Sequence, residues 1–515
     1  MLSYVYKSLA FTAEEMGVAL KRAAFSPNIR DRMDHSCVIA DGDGRIVAQA
    51  EHIPVHLGSF HVGLREFLSW IDKHGFGLSS GDVIATNDPF ITGTHVNDVM
   101  LVAPVYYGGR LVGLLSNKAH HVSIGGAVPG GLNPDARSIY DEGFVFEPVL
   151  IAEGWRLSED RINQLAENVE LRRVFRGDLA AQFASLYVGY QKVVDAISRF
   201  GLENYERGLE GTIDYSRRLA LSHLSEYMKD ESYTASDILE VPGKDIEIRA
   251  SLRFEGDRVR VELSSAPQLG SPFNAVLGVS FSAVSTAIMF LLRGAVPANH
   301  GFYSVIDLRV EEGSLLNPYR PSPVGFGNLE TSMRIFDVVS LALAHAAPNV
   351  MPAAGSGTMM NVVLYGDNWV YYETIAGGSG GRPDGPGVSG VHSSMTNTLN
   401  TPVEVIEKEY PILIEAYKLR RGSGGRGLHR GGDGVVRIYK SLGKTSYVVV
   451  GNRFRKGPWG LWGGGDGLPA KVIVKRKDNE SLSINVVGKG VLESNDRLVI
   501  MTPGGGGWGN DEATY

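Results

Sequence analysis

The last third of this 515-residue chain is punctuated by glycine: GGSGG (377–381), RGSGGRG (421–427), HRGGDG (429–434), WGGGDG (462–467) and PGGGGWG (503–509). Glycine has no Cβ and loses the most conformational entropy on folding, so such runs exclude long helices and imply tight turns and close backbone approach. The runs share no fixed period, which argues against a solenoid or a propeller. Neither GGGDG nor GGGG is followed by the Lys-Ser/Thr of a phosphate loop, and neither fits the dinucleotide fingerprint, so turn chemistry is their expected purpose. The chain therefore shows no nucleotide site of its own, and no nucleophile elbow with a placed triad.

Upstream the patterning differs. Thr12 to Ala24 and Leu57 to His74 have helical spacing of apolar residues. Between them, two β-rich runs flank the turn Asp41-Gly42-Asp43-Gly44. Strands are expected at Val83–Thr86, Met100–Tyr107 and Leu111–Asn117, the last two joined by Gly108-Gly109. Residues 160–230 read as a long helical segment, and 235–265 alternate as a half-buried antiparallel sheet does. Val276 to Leu292 is uncharged for 17 residues, short for a membrane span and interrupted by serines, and reads as a buried helix. The expectation is an α+β multidomain chain with mixed and antiparallel sheets: an α+β region at 1–155, a central helical segment at 156–232, an α+β region with the buried helix at 233–375, and a glycine-rich β region at 376–515.

Fifty Lys+Arg against 57 Asp+Glu leave a net charge of −7, with no basic patch, so neither nucleic acid nor a membrane is an expected partner. The amino end lacks a secretory pattern, and the single cysteine, Cys37, cannot form an internal disulfide, which makes the cytoplasm the expected compartment. Cys37 lies in an apolar strand and reads as inert core.

Of 13 histidines, eight fall between positions 35 and 121. The sharpest pattern there is Thr94-His95-Val96-Asn97-Asp98. His95 and Asp98 converge on one metal if the backbone is turned and diverge on a strand; the preceding loop favours the turn. His120 and His121 are adjacent on an extended segment, so at most one of them joins such a site. Asp34 opens a strand with its face opposite to Cys37. One or two carboxylates with two imidazoles suit Zn²⁺ or Mn²⁺, which this ligand chemistry does not distinguish. Glu142, His52 and His56 are candidate catalytic or substrate-side groups, with loop hydrogen bonding as the structural alternative.

Taken together, RDRMDHSCVIADGDGRIVAQAEHIPVHLGS (30–59), GDVIATNDPFITGTHVNDV (81–99), KAHHVSIGGAVPGG (118–131), GGRPDGPGVSGVHSSMTNTLNTPVEVIE (380–407), SGGRGLHRGGDGVVR (423–437) and TPGGGGWGN (502–510) resemble the hydantoinase B/oxoprolinase family, in the family's order and over nearly the whole chain. The resemblance implies the B subunit of an ATP-dependent cyclic amide hydrolase. In that scheme a hydantoinase A-type ATPase partner binds ATP and phosphorylates the carbonyl of a small cyclic amide, and this chain hydrolyses the product with metal assistance in a hetero-oligomer. Carried over residue by residue, the implied metal set is Asp34, His95, Asp98 and His120, with Asp41 in reserve for Asp34. His121 would be the imidazole neighbouring this set; with Glu142 it is a candidate catalytic group, and His52 and His56 are candidates either for contact with substrate or for a place behind the ligands. The sequence departs from the family at His35, where an aromatic residue is common, and at Asn97. Rival readings are a ketone carboxylase subunit, a non-catalytic scaffold for the ATPase, and a self-sufficient metal hydrolase. Sequence does not select the ring that is opened.

Overall fold

The computed structural model describes residues 2–50 and 52–511, with the side chain of Leu2 left aside; the tail beyond 511 lies outside the described residues. Among the described residues there are twelve helices, one π-helical turn and four sheets.

The first sheet carries the histidine-rich third. Its strands are β1 (His35–Ala40), β2 (Ile46–Ala50), β3 (Val83–Thr86), β4 (Asp98–Tyr107), β5 (Arg110–His120), β6 (Val149–Glu153) and β7 (Arg156–Leu157). They are ordered β2-β1-β5-β4-β3-β6-β7, all antiparallel. β1, β2 and β3 are buried at every position and β4 at its first eight, which requires cover on both faces. Helices Leu2–Ala23 and Arg172–Phe200 pack together over one face; helix Pro54–Lys73, itself packed on Leu277–Leu291, covers the other. That last crossing is tight because both helices place small residues there: a Cβ on Gly58 would meet the Ser282 backbone at 2.6 Å. The serines that interrupt Leu277–Leu291 are satisfied locally, Ser280 Oγ donating to Leu316 O and Ser282 Oγ to Pro54 O, both at 2.7 Å. Among the described residues no helix is long and apolar enough to cross a membrane.

The helical segment consists of Glu159–Ala166, Arg172–Phe200 and Leu202–Tyr227. The second sheet, β8 (Ser232–Val241), β9 (Lys244–Phe254), β10 (Val259–Ser264) and β11 (Ile306–Val310), is antiparallel except for the β10–β11 pair. Its alternation is the one the sequence predicts, with Ile246, Ile248, Ala250, Val259, Val261 and Leu263 all buried. β12 (Asn361–Gly366), β13 (Trp369–Thr374), β16 (Thr445–Val450) and β19 (Val487–Leu492) form a third sheet. β14 (Ile412–Leu419), β15 (Val435–Ser441), β17 (Lys471–Lys475), β18 (Ser481–Ile484) and β20 (Arg497–Met501) form a fourth, with β14 at one edge.

The glycine runs do something other than turn. Gly504 to Gly507 all avoid the left-handed region, and of the GGGDG run only Gly463 enters it, with φ 95°. Instead the segments lie side by side as extended backbones and bond laterally. Gly381 N donates to Gly506 O (2.8 Å), Gly506 N to Ala354 O (2.8 Å), Gly425 N to Gly505 O (2.8 Å), Gly505 N to Gly432 O (2.9 Å) and Gly507 N to Gly465 O (2.9 Å). A Cβ at Gly504, Gly505, Gly506 or Gly507 would press on the carbonyls of Ser423, Ser379, Trp459 and Arg426 respectively. The expectation of turn chemistry is thus corrected for GGGG and most of GGGDG: the glycines serve backbone-to-backbone packing, which tolerates no side chain.

Candidate functional site

The site forms where β1, β4 and β5 end together. The segment before β4 closes a turn, Asp98 N donating to His95 O at 3.0 Å, so the two side chains lie on one side. Asn97 pins this turn by donating from Nδ2 to His121 O (3.0 Å) and Gly130 O (3.3 Å). Asp98 pairs with His120 across the β4–β5 ladder, and His120 N donates to Asp34 O at 3.0 Å, placing Asp34 on the neighbouring strand.

Three donor atoms converge: His95 Nε2 to His120 Nδ1 is 3.2 Å, His95 Nε2 to Asp98 Oδ1 is 3.3 Å and His120 Nδ1 to Asp98 Oδ1 is 3.5 Å. Among the described residues this is the one group of three His, Cys, Asp or Glu side chains so arranged, and all three are buried. Asp98 Oδ1 and Oδ2 and His120 Nε2 have no hydrogen-bond partner. Three ligands sharing a tetrahedral ion at ~2.0–2.1 Å stand about 3.3 Å apart, so the triangle fits a divalent ion, and the orphaned carboxylate oxygens call for one.

The charges around the triangle are graded. Burial alone would raise the Asp98 carboxyl, but His95 and His56 hold it well below the usual carboxylate range. Burial pulls both imidazoles down. At His95 the adjacent Asp98 outweighs burial and leaves the group raised, whereas His120 stays lowered and so favours the neutral ring that ligates. His56 meets Asp98 Oδ2 at 3.4 Å and turns its Nδ1 to Ser36 Oγ at 3.3 Å, so it orients the carboxylate from behind. Asp34 sits beside the cluster with Arg32 Nη2 at 3.7 Å from its Oδ2. Glu142 enters from the short helix Ile139–Glu142. Its Oε1 accepts from Val324 N (2.8 Å) and Gly325 N (2.7 Å), Oε2 is buried without a partner, and burial pushes its pKa to about 7.

Other sequence candidates lie elsewhere. His121 faces the opposite side of the sheet, as strand alternation requires; its Nε2 meets Gln182 Oε1 at 2.9 Å and its ring packs on Phe175. The structure does not bring it to the triangle. His52 stacks on His35 (centroids 5.0 Å) and reaches Glu14 at 3.4 Å, also away from the triangle. Asp41 caps its own hairpin turn, accepting from Asp43 N and Arg45 N and pairing with the Arg45 guanidinium at 2.7 Å. Cys37 is buried, with its thiol pushed up to about 12 by burial.

Sequence reasoning missed several groups of the site's walls. The Tyr372 ring lies 4.7 Å from His120, with Arg32 over its other environs at 5.2 Å. Glu330 is fully buried on the π-helical turn Gly327–Thr331. Its Oε1 accepts from Thr358 Oγ1 at 3.0 Å, its Oε2 has no partner, and burial raises it to about 8. A π-turn in an otherwise α-helical run often marks a functional position. Within GNLETSMR nothing marks that glutamate as buried; only the lengthened turn does.

The chain is 39% identical to an uncharacterized protein of Methanocaldococcus jannaschii over 98% of this chain and 90% of that one. It is 31% identical to 5-oxoprolinase 1 of Arabidopsis thaliana over 97% of this chain, spanning 41% of that longer protein. The crystal structure of the ATP-dependent caprolactamase from Pseudomonas jessenii superposes with a TM-score of 0.92 at 27% identity, covering 99% of this chain and 90% of that one. Residues 1–511 match the family profile end to end, and the chain belongs to the hydantoinase B/oxoprolinase family.

Proposed function

We propose that this chain is the B-type component of an ATP-dependent cyclic amide hydrolase, acting on a carbonyl that an ATPase partner has activated. The observation that carries this reading is the His95–Asp98–His120 triangle with the partnerless Glu142 oxygen nearby. His95, Asp98 and His120 would hold a divalent ion, Zn²⁺ or Mn²⁺, with Asp34 beside it; when bound, such an ion supplies Lewis acidity toward a carbonyl. The protein's own groups then divide the work. Asp98 offsets the ion's charge and is kept in place by His56. Glu142, fixed through Oε1 by two backbone amides, has Oε2 free to carry a proton to the nitrogen that departs when the ring opens. A pKa near neutrality suits that exchange. Burial of the whole cluster excludes bulk water and strengthens each of these interactions.

Two further facts support a partner. The sequence contains no phosphate loop, and the chain spans 41% of the length of a 5-oxoprolinase relative, which leaves most of that relative without a counterpart here. The test is elemental analysis of the purified chain and of the His95→Ala/Asp98→Ala variant, followed by assay of cyclic amides with ATP and a co-expressed A-type partner. Near-stoichiometric Zn or Mn that the variant loses, with ring opening dependent on both ATP and partner, is the expected result. Absence of metal after supplementation, or full activity in the double variant, would leave this chain a scaffold. Consumption of bicarbonate with a ketone would make it a carboxylase component instead.

A further inference from the structure

A second polar cluster lies on the far side of Arg32, where β13 and β15 meet the loop 387–401. Glu373 receives two guanidinium groups there: Arg32 Nε at 3.0 Å from Oε1 and Arg437 Nη2 at 3.6 Å from Oε2. Both arginine side chains are fully buried. They differ in how far they are satisfied, Arg32 lacking a hydrogen-bond acceptor only at Nε. Arg32 donates to Asn28 Oδ1, Tyr372 O and Thr374 Oγ1. Arg437 has no hydrogen-bond acceptor at Nε, Nη1 or Nη2. Glu373 Oε2 is already taken by the Tyr371 hydroxyl (2.8 Å) and Thr401 N (3.1 Å). The other acid near Arg32, Asp34, stands toward the histidine triangle. One carboxylate thus serves two cations; Arg437 meets it only at 3.6 Å, lies between the Tyr417 and Tyr439 rings at 4.6 and 5.2 Å, and has no hydrogen-bond acceptor at its three nitrogens.

The neighbouring groups have the same deficit. His392 lies within electrostatic reach of both arginines, and both its ring nitrogens are buried without a partner; Thr398 Oγ1 and Thr401 Oγ1 are unpaired as well. A buried guanidinium whose N–H groups lack acceptors is costly to keep, and that cost favours a ligand that supplies them. The cover is thin. Tyr417, across the β14–β15 ladder from Arg437, lays its ring 4.6 Å from the guanidinium and is itself 42% exposed on the edge strand.

We infer that Arg437, with His392 and Thr401 around it, binds a small oxyanion of the phosphate or carboxylate class, entering past Tyr417. An oxyanion offers only acceptors, which is what a cluster with surplus donors lacks, and a guanidinium grips it through paired hydrogen bonds. The inference is independent of the metal chemistry proposed above.

The test is calorimetric titration of the full chain with inorganic phosphate and, separately, acetate. Four proteins are compared: wild type, Arg437→Gln, His392→Leu and Asp98→Asn, each first shown to be folded by its thermal transition. Saturable binding in wild type that survives Asp98→Asn and weakens by about tenfold or more in Arg437→Gln is expected, the loss of one charge-assisted pair. His392→Leu weakens it independently should Arg437→Gln fail to fold. The stronger of the two probes identifies the oxyanion class. Absence of saturable binding by either probe overturns the inference, since ordered water would then satisfy Arg437. Binding lost in Asp98→Asn but kept in Arg437→Gln and His392→Leu overturns it too, by assigning the anion to the histidine triangle.

Discussion

Gly506→Ala isolates the role assigned to the glycine runs. Gly506 is not in the left-handed region, so the substitution introduces no backbone strain of its own. Its Cβ would press on Trp459 O and stand 2.9 Å from Gly460 N, both backbone atoms that cannot rotate away. Relief requires the 503–509 segment to move, and that movement strains two lateral bonds of 2.8 Å, Gly381 N to Gly506 O and Gly506 N to Ala354 O. Overpacking costs about 1–3 kcal/mol and each buried group left unpaired about 1–3 kcal/mol. With one unpaired group per bond the sum, roughly 3–9 kcal/mol, is comparable to the whole stability of an ordinary domain. Gly443→Ala is the control: a Cβ there meets nothing within 4 Å, and its backbone is not left-handed. Urea denaturation followed by tryptophan fluorescence reads the region directly, because Trp459 and Trp508 lie within it. Gly506→Ala is expected to unfold at a far lower urea midpoint than wild type, with Gly443→Ala close to wild type. Equal midpoints for the two variants would refute the lateral-packing account and restore a turn role to the run.

Glu142 makes the metal-free chain pH-sensitive. Its folded pKa, raised from 4.5 to about 7, gives a stabilising contribution that is present below the unfolded pKa and lost as pH rises through the folded one. A shift of that size corresponds to about 3 kcal/mol; Glu142→Gln is expected to flatten the denaturation midpoint between about pH 5 and pH 8, and an unchanged slope counts against a buried neutral carboxyl. His56→Ala leaves the three converging donors in place yet removes the group behind Asp98 Oδ2; metal competition titration is expected to show roughly 10–100-fold weaker binding, and undiminished affinity would deny His56 its orienting role. Cys37, with its thiol near 12, is expected to resist iodoacetamide in the native chain and to react once unfolded; native labelling at neutral pH would contradict its burial.

How much of this was legible in the sequence depended on the range of the interaction involved. Local periodicity carried the early strands, the helices between 159 and 227, the alternation of β9 and β10 and the buried helix Leu277–Leu291, because each is set by which faces are covered. The His95 and Asp98 placement was readable for the same reason: a turn closed by Asp98 N to His95 O is a four-residue event. Strand alternation likewise separates His120 from His121, which leaves His121 away from the triangle although it is a candidate catalytic group in the sequence. For His56 the sequence leaves open contact with substrate or a place behind a ligand, since nothing in EHIPVHLG shows that the helix aims it at the Asp98 carboxylate some forty residues on.

What stayed hidden depends on segments distant in sequence. The glycine runs look like turns one at a time and become a packed backbone lattice only when 353–354, 377–381, 424–432, 465 and 505–507 are brought together. Arg437 is the clearest case. Nothing in GVVRIYK marks it as buried, yet Tyr417 from one side and Glu373 from another enclose it completely. Alternation states which face a side chain takes but says nothing about whether a second layer covers that face. Here the edge strand β14 supplies the cover, and it turns an ordinary arginine into a buried cation whose donors have no protein acceptor. Polar groups whose partners lie far off in sequence are therefore what local pattern leaves unseen in this fold: the Asp98 carboxylate met by His56, and Arg437 closed in between Glu373 and Tyr417.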